Sequence, residues 1–156
     1  MNILTINNPK EKEFLNKKTK EINLKTIDKK FLRTTIQQMR KIMKESNGVG
    51  LSANQVGLDL KFFIAQVYDS QGKPKFYAIL NPKIVKKSNK KIIQEEGCLS
   101  VPGIFEPTPR YDYVILEGYD LNFKKIKIKA WGLLARIFQH EVDHLNGKLF
   151  LDHIKK

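Results

Sequence analysis

The sequence predicts an α+β fold in which antiparallel β-sheets pack around a C-terminal helix, with an N-terminal amphipathic helix ahead of them. Three observations predict it. Phe31, Leu32, Ile36, Met39, Ile42 and Met43 recur at helical spacing between Asp28 and Ser46-Asn47-Gly48. Strand-like runs separated by turn residues fill much of the middle of the chain. A second helical pattern, holding His140, Glu141 and His144, runs from Gly132 to Gly147.

In chain order, Glu11 to Lys25 is lysine-rich and weakly patterned, which reads as a surface segment with a helical turn after Pro9. The first long helix starts at Asp28, an N-cap residue, and its methionines suit core filling better than metal binding. Gly48 to Gly57 then carries three glycines with small residues between them. Glycines tolerate positive φ and let another chain approach closely, so this stretch suits a loop lining a cleft as well as it suits a tight connection. A phosphate-binding loop is a poor match, because the Lys-Ser/Thr pair is missing.

Lys61 to Tyr68, Phe76 to Leu80 and Ile84-Val85 read as strands, with turns at Asp69-Ser70-Gln71-Gly72 and Asn81-Pro82. A second hairpin is expected from Tyr113 to Tyr119 and Lys125 to Ala130. Its second arm alternates Lys125, Lys127 and Lys129 with Ile126, Ile128 and Ala130, placing lysines outward and the apolar set inward.

At 156 residues the chain fits one domain, large enough to bury a core without disulfides. The net charge is +13, mostly from lysines dispersed along the sequence. That dispersion favours a solvated lysine-rich surface, and the sharper alternative is attraction to a polyanion through long-range steering. Without arginine clusters interleaved with aromatics, sequence-specific nucleic-acid binding is not expected. One cysteine, Cys98, excludes an intrachain disulfide and agrees with a reducing, cytoplasmic compartment. No stretch approaches the ~20 apolar residues of a membrane span, and the N-terminal apolar run is too short for a signal peptide.

The chemistry centres on Gln139-His140-Glu141-Val142-Asp143-His144, a His-Glu-x-x-His motif. On a helix, residues four apart stand one above the other, so His140 and His144 can offer two imidazole nitrogens to one ion. Leu133 and Ile137 continue the same face, so the histidines extend an apolar stripe. A catalytic ion normally takes three protein ligands and keeps one position for water, so a third ligand must lie elsewhere.

A downstream Glu, as in gluzincin proteases, is missing, since none of the twelve residues after His144 is Glu. The metzincin pattern fits as far as Gly147 but puts Phe150 where its third His belongs. His153 lies near the end of the sequence, where side chains usually face solvent. Cys98, in Glu95-Glu96-Gly97-Cys98-Leu99-Ser100, could complete a Cys/His/His set or could be a buried structural cysteine. The residues by themselves leave that choice open.

Three stretches together resemble the motifs of the peptide deformylase family, in order and at similar spacing. They are Gly48-Val49-Gly50-Leu51-Ser52-Ala53-Asn54-Gln55-Val56-Gly57, Glu96-Gly97-Cys98-Leu99-Ser100 and Gln139 to His144. The resemblance implies one catalytic domain over residues 1–156 that removes the formyl group from the N-terminal formylmethionine of nascent polypeptides and releases formate. It implies Cys98, His140 and His144 as metal ligands, Glu141 as general acid/base, and Gln55 with the Leu99 backbone N–H as oxyanion donors. Around the methionine side chain and the peptide backbone it suggests Val49, Gly50, Gly97, Leu133 and Ile137. The implied cofactor is one divalent ion, iron(II) in the cell, with zinc, nickel or cobalt able to replace it. The implied partners are N-formylmethionyl nascent peptides, with ribosome association resting on the basic surface and no membrane.

Two departures from the family pattern stand out. Ser52 occupies a position that is usually Ala, and Ile104-Phe105-Glu106 replaces a basic or polar stretch after the second motif. Two other functions compete with this reading: a zinc aminopeptidase or protease, and a basic ribosome- or RNA-binding protein without catalysis.

Overall fold

The computed structural model describes residues 1–154. Three helices, α1 (Pro9–Leu15), α2 (Lys29–Glu45) and α3 (Gly132–Leu145), accompany seven strands: β1 (Gly50–Ser52), β2 (Phe62–Tyr68), β3 (Pro74–Lys87), β4 (Lys91–Cys98), β5 (Val101–Tyr111), β6 (Tyr113–Tyr119) and β7 (Lys125–Trp131). Two 3-10 turns, Ala53–Val56 and Phe150–His153, complete the secondary structure. The strands form two antiparallel sheets. One has five strands in the order β1-β2-β3-β6-β7, and the other is the β4-β5 ribbon.

Strand periodicity explains how the large sheet carries a helix on each face. In β2, Phe63 and Ala65 point to a core shared with Ile137, Phe138, Val142 and Leu145 of α3. Their neighbours Phe62 and Ile64 join Leu32, Ile36, Met39 and Met43 of α2. Burying a side chain such as Phe138, fully enclosed here, contributes about 1.5–3 kcal/mol. Asp28 caps α2 by accepting from the backbone N–H groups of Lys30 and Phe31.

In β7 the lysines are exposed and the isoleucines half-buried, as the alternation requires. The strand segments expected separately around Asn81-Pro82 are one strand, β3, interrupted by a register shift between Leu80 and Lys83. Asn81 adopts φ 50° at that shift.

Two expectations are corrected. The Glu11 to Lys25 stretch is not merely a surface segment: Leu15, Thr19 and Ile22 are buried in it. Asn81 pins it by pairing its side-chain amide with both backbone groups of Ile22. Thr19 donates its N–H and hydroxyl to the Leu145 carbonyl, satisfying a carbonyl that the end of α3 leaves open. The β4-β5 ribbon was not expected as strands, because charges crowd β4 and three prolines interrupt β5. A two-stranded ribbon has an unpaired edge on each strand, where proline costs no ladder bond.

Candidate active site and metal centre

α3 lies against the large sheet on one side and meets the β4-β5 ribbon on the other, through side chains its sequence period aims that way. Gln139 bonds both backbone groups of Tyr111 at 2.8 Å, imitating a strand partner. Arg136 donates to the carbonyls of Thr108 and Ile92. These bonds tie the ribbon to the first half of α3, and the last residues of β4 then meet its second half, at His140 and His144. A register shift between Gly97 and Cys98 marks the end of β4, and bulges of this kind re-aim side chains next to sites.

There Cys98 Sγ lies 3.2 Å from His144 Nε2, which is 3.1 Å from His140 Nε2. One potential ligand atom from each of these three residues lies within 4.8 Å of the other two. His140 Nδ1 is 2.6 Å from Glu96 Oε2. A carboxylate only accepts, so the Nδ1–H donates to it and Nε2 keeps its lone pair for an ion.

The surroundings favour a cation at this point. With only protein groups around it, His140 is pushed up to about 10. Burial opposes its charge, but bonds to Cys98 and Glu96 and the charge of Glu141 outweigh that. A divalent ion among the same donors answers the same field, so the donor set fits a metal. His144 is pushed the other way, by burial and then by the neighbouring His140. Glu141 is pushed up to about 7, chiefly by burial. Its Oε1 is buried without a hydrogen-bond partner among the described residues, as is His144 Nδ1. Gly50 makes room for the Glu141 carboxylate: a Cβ there would sit 2.5 Å from Oε2.

Behind the histidines lies a buried ionic network. Glu96 accepts from Arg110 at 3.1 and 2.7 Å and from Arg136 at 3.0 Å. Burial alone would raise the Glu96 pKa, but its bonds to His140 and Arg110 hold the carboxyl well below the usual range. Asp143 takes the other side of Arg110.

The family profile described as polypeptide deformylase matches residues 1–156. The chain belongs to the polypeptide deformylase family. The peptide deformylase of Karelsulcia muelleri (strain GWSS) is 45% identical over 142 residues, 90% of this chain and 73% of that protein. The crystal structure of a probable peptide deformylase from Synechococcus phage S-SSM7 superposes with a TM-score of 0.88 at 34% identity, covering 99% of each chain. A Met-Ala-Ser-bound crystal structure of a class I type b peptide deformylase from Acinetobacter baumannii gives 0.89 at 28%, covering 99% of this chain and 98% of that one. As a peptide deformylase, the chain is a metal-dependent hydrolase that removes the formyl group from N-terminal formylmethionine.

Around the deformylase motifs a cavity of about 550 Å³ opens onto Cys98 and His140, with His144 buried beside them. Val49, Gly50, Gly97, Leu133 and Ile137, expected from the sequence to contact substrate, all line it, together with Gln55, Leu99 and Glu141. Leu133 is 58% exposed, so it forms the rim and does not extend the buried stripe expected from helical spacing. Gln55 is held in a defined orientation. Its Oε1 accepts from Ser52 N, and its amide nitrogen faces Ser100 Oγ at 3.0 Å and Cys98 Sγ at 3.7 Å.

Ser52, noted as a departure from the family pattern, brings a hydroxyl within 3.0 Å of that same Oε1 and 2.7 Å of Asn54 Oδ1. His153 is not simply solvent-facing: Nε2 lies 2.7 Å from Asp143 Oδ2. Arg110, Asp143, Gln139 and Arg136 received no role from the sequence. Arg136 stands one turn before His140, the single local hint. Arg110 gives none, because its partners are 14 and 33 residues away.

Proposed function

We propose that Cys98, His140 and His144 hold one divalent ion, and that Glu141, Gln55 and the Leu99 backbone N–H act on a formyl group beside it. The observation that carries this reading is the convergence of three donor atoms, one from β4 and two from one face of α3, of which those of Cys98 and His140 belong to residues lining the cavity. When bound, the ion supplies a Lewis acid that activates water and polarises the formyl carbonyl.

Glu141 accepts the proton of the attacking water and returns it to the departing amine. Its buried carboxylate, pushed up to about 7, suits an exchange in both directions near neutral pH. Gln55 and the Leu99 N–H donate to the oxyanion as the carbonyl becomes tetrahedral. Water oxygen is then joined to the formyl carbon, the C–N bond has broken, and formate leaves a free α-amine. Val49, Leu133 and Ile137 receive the methionine side chain. Gly50 and Gly97 line the path on which the substrate backbone lies along the loop as an added strand.

Formate release from formyl-Met-Ala-Ser, compared with amine release from Met-Ala-Ser, tests this reading. Deformylation should fall with Cys98→Asp, Glu141→Ala and chelation, and the unformylated peptide should stay intact. Undiminished formate release by Glu141→Ala would overturn the proton-transfer role, and turnover of Met-Ala-Ser would favour an aminopeptidase.

Iron(II) is the ion we propose in the cell, on the family resemblance, and metal analysis after anaerobic purification checks it. Residues 1–154 pack as the elements of one site, which supports a single catalytic unit. The +13 charge supports an association with the ribosome through the basic surface, where nascent chains emerge. A reaction on nascent chains supports a location where they are made, the cytoplasm. No helix among the described residues is long and apolar enough to cross a membrane.

A further inference from the structure

The 3-10 turn Phe150–His153 reaches the metal-binding group from the side away from the cavity, and it does so at three points. The Phe150 ring stacks on His140, with centroids 6.3 Å apart and planes at 24°. Leu149 and Phe150 bury themselves with Val101 in an apolar cluster against which Cys98 packs. His153 Nε2 meets Asp143 Oδ2, the same oxygen that accepts from Arg110 Nη1. Arg110 Nη2 donates to Glu96 Oε2 at 2.7 Å, and that oxygen takes the Nδ1–H of His140. Four consecutive contacts therefore join His153 to the ring of His140.

We propose that His153 is a positioning residue, the polar latch of a clasp over the three donor residues, and that its bond to Asp143 slows loss of the ion. The proposal rests on the ligand set given above. Arg110 is 3% exposed and lies between two carboxylates, so its orientation is set by both. The Asp143 side chain is 19% exposed, which opens it to competing water on the face His153 covers. Freed from His153, Asp143 turns toward solvent, Arg110 loses one of its two anchors, and Glu96 no longer holds His140 in one position. His153 itself is outside the converging donor group and committed to Asp143, so it acts through the network and not as a ligand.

The test uses cobalt(II)-loaded protein, with His153→Phe keeping the ring bulk and His153→Gln keeping an N–H donor. Release of cobalt to a chelator should be about 5-fold faster in His153→Phe, less than the roughly 10- to 100-fold that direct partners of metal-bound histidines contribute, because His153 acts through three intervening residues. His153→Gln should return to within about 2-fold of wild type, since it restores a donor to Asp143. For formyl-Met-Ala-Ser, His153→Phe should lower kcat and leave KM unchanged. Wild-type release from His153→Phe, or equal acceleration in both variants, would overturn the latch, the second result marking a purely steric role. A wild-type cobalt protein without a thiolate-to-cobalt absorption band would instead overturn the ligand set and the latch together. A normal band with unaltered release sinks the latch alone.

Discussion

The floor and the rim of the cavity are built on opposite principles. At the floor, His140 and Glu96 are each held by other side chains, with Arg110 and Asp143 bracing them from behind, and Glu96 alone accepts from three residues. At the rim, Val49, Leu133 and Phe105 stand 46–63% exposed. Phe105 lies across from Gly97 in the ribbon, and its ring would be 2.5 Å from a Cβ at that glycine. The contrast separates two tasks. Chemistry needs donor atoms fixed to fractions of an ångström, whereas selection among peptide sequences tolerates side chains that adapt to each substrate.

The strongest way to break that contrast is to remove the floor group proposed to act on substrate. Glu141→Ala should lower kcat/KM by about 10³-fold, as expected for loss of a general acid/base, with bound metal unchanged by elemental analysis. If activity stayed within about 10-fold, the floor would owe its power to the ion and not to this carboxylate.

Next in size is Glu96→Gln. It leaves Arg110 and Arg136 facing a neutral amide in a buried setting, where breaking one partner costs about 3–5 kcal/mol. Thermal unfolding of metal-free protein reads the loss. The sign with pH follows from the lowered Glu96 pKa. The stability it contributes is fully present above its ordinary value of 4.5 and is lost as acid protonates it below that value. Wild-type Tm should therefore fall more steeply than that of Glu96→Gln on acidification below this range.

Ser52→Ala tests a smaller contribution, the hydroxyl that braces Gln55. One neutral hydrogen bond contributes about 0.5–1.5 kcal/mol, so kcat should fall by about 2- to 10-fold with KM nearly constant. An equal change in KM would mean that Gln55 holds the ground state as firmly as the transition state. The smallest effect belongs to the rim. Phe105→Ala should raise KM about 3-fold for peptides with an apolar residue after methionine and leave kcat alone. A fall in kcat instead would make Phe105 part of the floor.

Much of the architecture was legible because periodicity reports burial. The spacing of Leu32, Ile36, Met39 and Met43 put α2 in place, and the Lys/Ile alternation of β7 marked its two faces. The ribbon was not legible: strand propensity fails where prolines and charges occupy a two-stranded edge. Buried Leu15 and Ile22 were missed for a similar reason, since short apolar positions among lysines carry no period. Within the site, His140 and His144 could be named from motif chemistry and Cys98 from the family resemblance, and the bracing residues could not. Arg110 looks like any surface arginine until β5 carries it under α3.

The amino-acid sequence by itself determined the helix that presents His140, Glu141 and His144, the glycines that open the first motif, and a short list of partners for an ion. Local spacing is enough for these, because a helix of known pitch turns sequence distance into a shared face. Only the tertiary structure decided that Cys98 meets the two histidines, that Gln55 is turned by Ser52 toward it, and that His153 grips Asp143 from behind. Such contacts join residues tens of positions apart through a bulged strand and a buried ion network. Their geometry depends on how the two sheets pack against α3, which no local pattern encodes.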